Sequence, residues 1–171
     1  MDESPMHDST TRSHSVLVEQ LAAALLAKKL IMATAESCTG GWIAQSLTAQ
    51  AGSSQWFDTG FVTYSNAAKQ RLLAVPESFL ASDGPGAVSE ETVLAMTQGA
   101  INNSRANVAI AVSGIAGPDG GSKEKPVGTV WIAWQWESKV LVRRFQFVGD
   151  REAVRFATVT AGLRGLIELL G

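Results

Sequence analysis

Apolar residues recur along this chain at helical spacing in some stretches and as short continuous runs in others, and the alternation of the two sketches a fold. Val16, Leu17, Leu21, Leu25 and Leu26 fall at helical spacing between Val16 and Ala27. The run Leu30–Ala35 reads as a buried strand. Thr39-Gly40-Gly41 then opens a helix that carries Trp42, Ile43 and Leu47 and ends near Gly52. Trp56–Tyr64 reads as a strand, and Ser65-Asn66 caps a helix with Lys69, Leu72 and Leu73. Turn residues at Asp83–Gly86 precede a helix signalled by Ser89-Glu90-Glu91-Thr92 and running to about Asn103. Val108–Val112 suits a strand covered on both faces, and a glycine-rich loop from Gly114 to Gly128 follows it. Thr129–Trp136 and Val140–Phe147 make a hairpin through Glu137-Ser138-Lys139. Gly149-Asp150 caps a last helix whose Phe156, Val159, Leu163, Leu166 and Leu170 form one stripe. Helices alternate with the early strands and the hairpin comes late, which predicts one α/β domain with a mixed sheet.

Residues 1–14, MDESPMHDSTTRSH, are polar and aperiodic and read as a flexible leader, leaving 15–171 as the domain. Asp2, Glu3 and Asp8 against Arg12 give that leader the whole net charge of −2. The body is therefore neutral, with no excess to attract a nucleic-acid backbone or an acidic membrane. No apolar run nears the roughly 20 residues of a membrane span. No signal segment opens the chain, and the expected location is cytoplasmic.

Cys38 is the only cysteine, which excludes an intrachain disulfide and a Cys-rich zinc site. His7 and His14 both fall in the leader, so a Ser-His-Asp triad or a His-built metal site is not expected. A hydrolase on this sequence needs another base.

Three segments join glycines to hydroxyls. Ala35-Glu-Ser-Cys-Thr-Gly-Gly41 links a strand to a helix, where backbone N–H groups can cradle an anion or where Ser37 or Thr39 can simply cap. Ala51-Gly-Ser-Ser54 is followed by Tyr64-Ser-Asn-Ala-Ala-Lys69, and a serine needs a base to become a nucleophile. Lys69 is the only lysine between Lys29 and Lys123; it is either that base or a solvated lysine on a helix face. The third segment, Ser113-Gly-Ile-Ala-Gly-Pro-Asp-Gly-Gly-Ser-Lys123, is no P-loop, since Gly-Lys-Ser/Thr never occurs. It is a backbone shaped around a ligand or a surface loop.

In order along the chain, TAESCTGG, AGSSQWFDTGFVTYSNAAK, GAVSEET, SGIAGPDGGSKEKPVGTVW and GDR resemble the CinA C-terminal domain family, over about residues 15 to 170. Its stand-alone members include the PncC-type nicotinamide mononucleotide amidohydrolases. The resemblance implies a three-layer α/β/α sandwich that self-associates as a homodimer or larger homo-oligomer. It also implies hydrolysis of the nicotinamide amide of nicotinamide mononucleotide (NMN), giving nicotinate mononucleotide and ammonia, without metal or cofactor. On the matching positions it implies Ser54 as nucleophile, Lys69 as base and Tyr64 as an accessory residue, with Ser37 in the site and open as the alternative nucleophile. Backbone N–H groups around Thr39, Gly40 and Gly41 would serve an oxyanion or the phosphate, and Gly114 would line the site. Arg151 of GDR would pair with the phosphate, or else make a helix-end salt bridge. The stretch Ser82–Gly86 departs from the family pattern, which often carries a shorter segment with a histidine there.

Two rivals remain at this level. Cys38 beside Glu36, with Lys69 available, would make a Cys-Glu-Lys amidase, provided its pKa were lowered. A non-catalytic module that binds a pyridine nucleotide or a protein is the other, although Ser37, Ser54, Tyr64 and Lys69 are all present. Of the five tryptophans, Trp134 and Trp136 share a strand face with Val130 and Ile132 and read as core; Trp42 is the better candidate to stack on a substrate ring.

Overall fold

The computed structural model describes residues 6–171, with side chains from His14 onward. Of the leader expected at residues 1–14, residues 1–5 and the side chains of 6–13 lie outside that description. The elements are α1 (Met6–Lys28), β1 (Met32–Glu36), α2 (Trp42–Thr48), β2 (Phe57–Val62), α3 (Asn66–Leu73), α4 (Glu77–Leu80), α5 (Glu90–Asn102), β3 (Val108–Gly114), β4 (Thr129–Trp136), β5 (Lys139–Gln146) and α6 (Arg151–Leu170). The five strands form one mixed sheet in the order β2-β1-β3-β4-β5. β1 runs parallel to β2 and β3, and β4 and β5 are antiparallel additions. No helix among the described residues is long and apolar enough to cross a membrane.

Strand alternation sorts the core into two halves. Met32, Val108, Ile110, Val112, Ile132 and Trp134 pack under α1, α2 and α6. Ala33, Ala35, Ala109, Ala111 and Ala133 face α3 and α5 through Leu73, Val93, Met96 and Ala100. The small alanines let α5 sit close to the sheet. These faces make the three-layer α/β/α sandwich that the motifs implied.

The first helix begins at Met6, ten residues before its apolar stripe starts. His14 is accordingly inside the fold. Its ring stacks on Phe156 at 4.3 Å, meets Trp42 edge-on and lies 3.0 Å from Thr160 Oγ1. The expectation that both histidines lie in a polar leader is therefore corrected for His14, because the aromatic pair on α2 and α6 supplies it an apolar seat. Burial holds its pKa below the ordinary histidine value.

Parallel pairing decides where chemistry can gather. Phe57 lies beside Met32 and Val62 beside Glu36, so β1 and β2 end at the same edge of the sheet, with β3 ending there too. In open sheets of this kind, ligands settle outside the carboxyl ends of parallel strands.

Candidate active site

Ser37 follows the last residue of β1, and its N–H donates to Val112 O on β3. The turn after it is held by Glu36, whose fully buried carboxyl group accepts from Thr39 Oγ1 at 2.7 Å, Ile43 N at 2.8 Å and Ala44 N at 2.9 Å. Those contacts consume the first free donors of α2. The helix start expected to cradle an anion is thus occupied by the chain's own carboxyl group. Gly40 and Gly41 both have positive φ, 61° and 99°, which a turn this tight requires. The Gly40 N–H donates to Ser37 O, while no acceptor among the described residues meets the Thr39 N–H.

Lys69 enters from α3 on the opposite face and is 1% exposed, so it is no solvated helix-face lysine. Its Nζ lies 3.0 Å from Ser37 Oγ, 2.8 Å from Thr63 O and 3.4 Å from Tyr64 O. No carboxylate among the described residues pairs with it. Burial pushes its pKa below the ordinary lysine value, against a smaller upward pull from Cys38. The hydroxyls of Thr63 and Ser113, also buried, have no hydrogen-bond partner among the described residues.

Ser54 sits elsewhere. It occupies an exposed 3₁₀ turn, Ser53–Gln55, that leads into the start of β2. Lys69 binds carbonyls just beyond the end of β2. A strand of this length separates them by on the order of 20 Å. The structure does not bring Ser54 and Lys69 together; the serine within reach of Lys69 is Ser37, the alternative nucleophile of the sequence reading.

A cleft of about 230 Å³ opens at Cys38, the chain neighbour of Ser37, and is lined also by Tyr64, Gly114, Gly117, Asp119 and Arg151 among others. Arg151 donates to Gly117 O at 2.8 Å and to the Tyr64 hydroxyl at 3.1 Å, so its partners are the loop and Tyr64 and not a helix-end carboxylate. Gly114 closes the cleft floor by necessity, since a Cβ there would come within 2.6 Å of Val130 Cγ2. Asp119 gives the cleft its one carboxylate, a residue the sequence reading passed over inside the glycine-rich loop. A larger groove of about 530 Å³ between β5 and α6, lined by Phe145, Phe147 and Phe156, contains none of these groups.

The thiol rival loses its chemistry here. Burial pushes the Cys38 thiol up to about 12, and the oxygens of Glu36 already receive three donors from the turn and α2. Trp42 does not line the cleft; it lies under Arg155, with the ring centroid 5.5 Å from the guanidinium. Trp134 is core, its Nε1 donating to Gly162 O at 2.7 Å. No group of three or more His, Cys, Asp or Glu side chains among the described residues is arranged to hold a metal ion.

Comparison with known proteins identifies the family. A family model described as the CinA C-terminal domain matches residues 14–170. A protein of Pseudomonas putida named nicotinamide-nucleotide amidohydrolase PncC is 60% identical over 136 residues, covering 80% of this chain and 84% of its own. One of the same name from Escherichia coli K12 is 52% identical over 151 residues, 88% of this chain and 90% of its own. Among solved structures, the competence/damage inducible protein CihA of Agrobacterium tumefaciens superposes with a TM-score of 0.88 at 43% identity, covering 99% of both chains. The competence damage-inducible protein A of Klebsiella pneumoniae gives 0.86 at 43% identity, over 91% of this chain and 95% of that one. The chain belongs to the CinA C-terminal domain family.

Proposed function

We propose that this protein hydrolyses the carboxamide of NMN to nicotinate mononucleotide and ammonia, with Ser37 as nucleophile and Lys69 as its base. The observation that carries the reading is the 3.0 Å approach of Lys69 Nζ to Ser37 Oγ in a buried setting that favours the neutral amine. The names of the amidohydrolase relatives supply the substrate class.

The chemistry follows from these groups. Ser37 Oγ attacks the amide carbon as neutral Lys69 takes its proton. The tetrahedral oxyanion receives the Thr39 N–H. Collapse breaks the C–N bond, and Lys69 returns the proton to the departing nitrogen, which leaves as ammonia. Water, deprotonated in turn by Lys69, attacks the acyl ester and frees the nicotinate carboxylate and Ser37. NMN bears a cationic ring and a phosphate, and the cleft offers Asp119 and Arg151 as their complements. The scheme calls on no metal, and turnover is expected to persist in EDTA.

Ammonia release from NMN tests this. Ser37→Ala and Lys69→Ala are expected to be silent, while Ser54→Ala and Cys38→Ala keep most of the rate. Activity that survives Ser37→Ala and dies with Ser54→Ala overturns the assignment of the nucleophile. A folded wild type that releases no ammonia points instead to a non-catalytic nucleotide-binding module.

A further inference from the structure

We propose that Arg155 is a positioning residue for this reaction, holding the turn after Ser37 so that the Thr39 N–H faces the attacked carbonyl. The inference rests on the reading of Ser37 as nucleophile. Arg155, on α6, donates from Nε to Cys38 O and from Nη2 to Thr39 O, each at 3.1 Å. Its guanidinium lies over Trp42, which is itself flanked by Phe156 at 6.0 Å and by His14. No carboxylate among the described residues pairs with Arg155, so its hydrogen bonds go to the turn. A cation with two fixed donors thus clamps two consecutive peptide units, and a cluster of aromatic rings around Trp42 holds the cation in place.

The consequence is set by peptide geometry. In a trans peptide the C=O of one residue and the N–H of the next point in opposite directions. The Cys38 C=O is drawn toward α6, so the Thr39 N–H points away from it, toward the face from which Lys69 arrives. The Thr39 C=O is held likewise, and the Gly40 N–H of that peptide closes on Ser37 O at 3.0 Å. Glu36 fastens the same turn through the Thr39 side chain. Arg155 therefore reaches the chemistry through the backbone and touches neither substrate nor nucleophile.

The test compares Arg155→Gln and Arg155→Lys with wild type in two readouts: steady-state turnover of NMN, and the rate at which phenylmethylsulfonyl fluoride labels Ser37, followed by mass spectrometry. A misplacement of about 1 Å costs on the order of 100-fold, so Arg155→Gln is expected to lower kcat by about that factor with KM within about twofold. Labelling slows in parallel, added guanidinium ion restores part of both rates, and Arg155→Lys falls between. Wild-type kcat in Arg155→Gln, or a loss confined to KM, overturns the proposal. If Arg155→Gln does not fold, Arg155→Lys decides, and wild-type rates in that variant overturn it. A wild type that labels at Ser37 but releases no ammonia sinks the NMN reading alone, and the labelling rates still decide Arg155. A wild type that does neither overturns both.

Discussion

Lys69 Nζ stands 3.0 Å from Ser37 Oγ at a site 1% exposed, with two backbone carbonyls and, among the described residues, no carboxylate for company. An ammonium buried without a counter-charge is costly, and that cost is what favours a neutral base. Burial lowers the folded-state pKa below the ordinary 10.5, so between the two values the unfolded chain binds a proton that the folded chain does not. Stability contributed by this group therefore rises with pH across that window, and the penalty is greatest below it. Lys69→Met is expected to abolish turnover yet raise the melting temperature at neutral pH, with the gain shrinking toward pH 10.5. Thermal melts of both proteins from pH 6 to 10 check this, and a variant less stable throughout overturns it. The kcat/KM of wild type should rise with pH as Lys69 loses its proton.

Glu36 makes the opposite kind of contribution. Its buried carboxyl group satisfies the Thr39 hydroxyl and two helix N–H groups that have no other acceptor among the described residues. Glu36→Gln keeps the shape but turns one oxygen into an N–H₂ that faces a donor. The expected loss is about 1–3 kcal/mol in urea unfolding, with activity falling as the Ser37 turn loosens. Unchanged stability would show that the three contacts are replaceable.

The fold was legible because its signals are local. The alanine and valine runs of β1 and β3, the Ser65, Ser89 and Asp150 caps, and the stripe of α6 each announce one element, and the caps accept from Ala68 N, Thr92 N and Ala153 N. The early start of α1 was not legible, because its first turns carry no apolar stripe and His14 finds its seat only on Phe156, far along the chain. At the site, Lys69 and Ser37 were both in view, but their pairing depends on strand direction. AGSS precedes β2 and AESC follows β1; since the strands are parallel, those segments lie at opposite ends of the sheet. Asking which motifs follow a strand would have chosen Ser37. Arg155 leaves no such mark, since its partners are backbone carbonyls more than a hundred residues away.

Arg151 separates substrate binding from chemistry. It is exposed at the start of α6, tied to Gly117 O and the Tyr64 hydroxyl, and it is the one cation lining the cleft. An arginine so placed suits a phosphate, and a charge-assisted contact of that kind is worth about 1.5–3 kcal/mol. Arg151→Gln is expected to raise KM for NMN by at least about tenfold and to change kcat less. The comparison substrate is nicotinamide riboside, which carries the same amide and the same cationic ring without the phosphate. On that substrate the variant and wild type should perform alike. Equal losses on both substrates would move Arg151 from phosphate recognition to support of the glycine-rich loop, because a loosened Gly117 would disturb the cleft whatever the substrate carries.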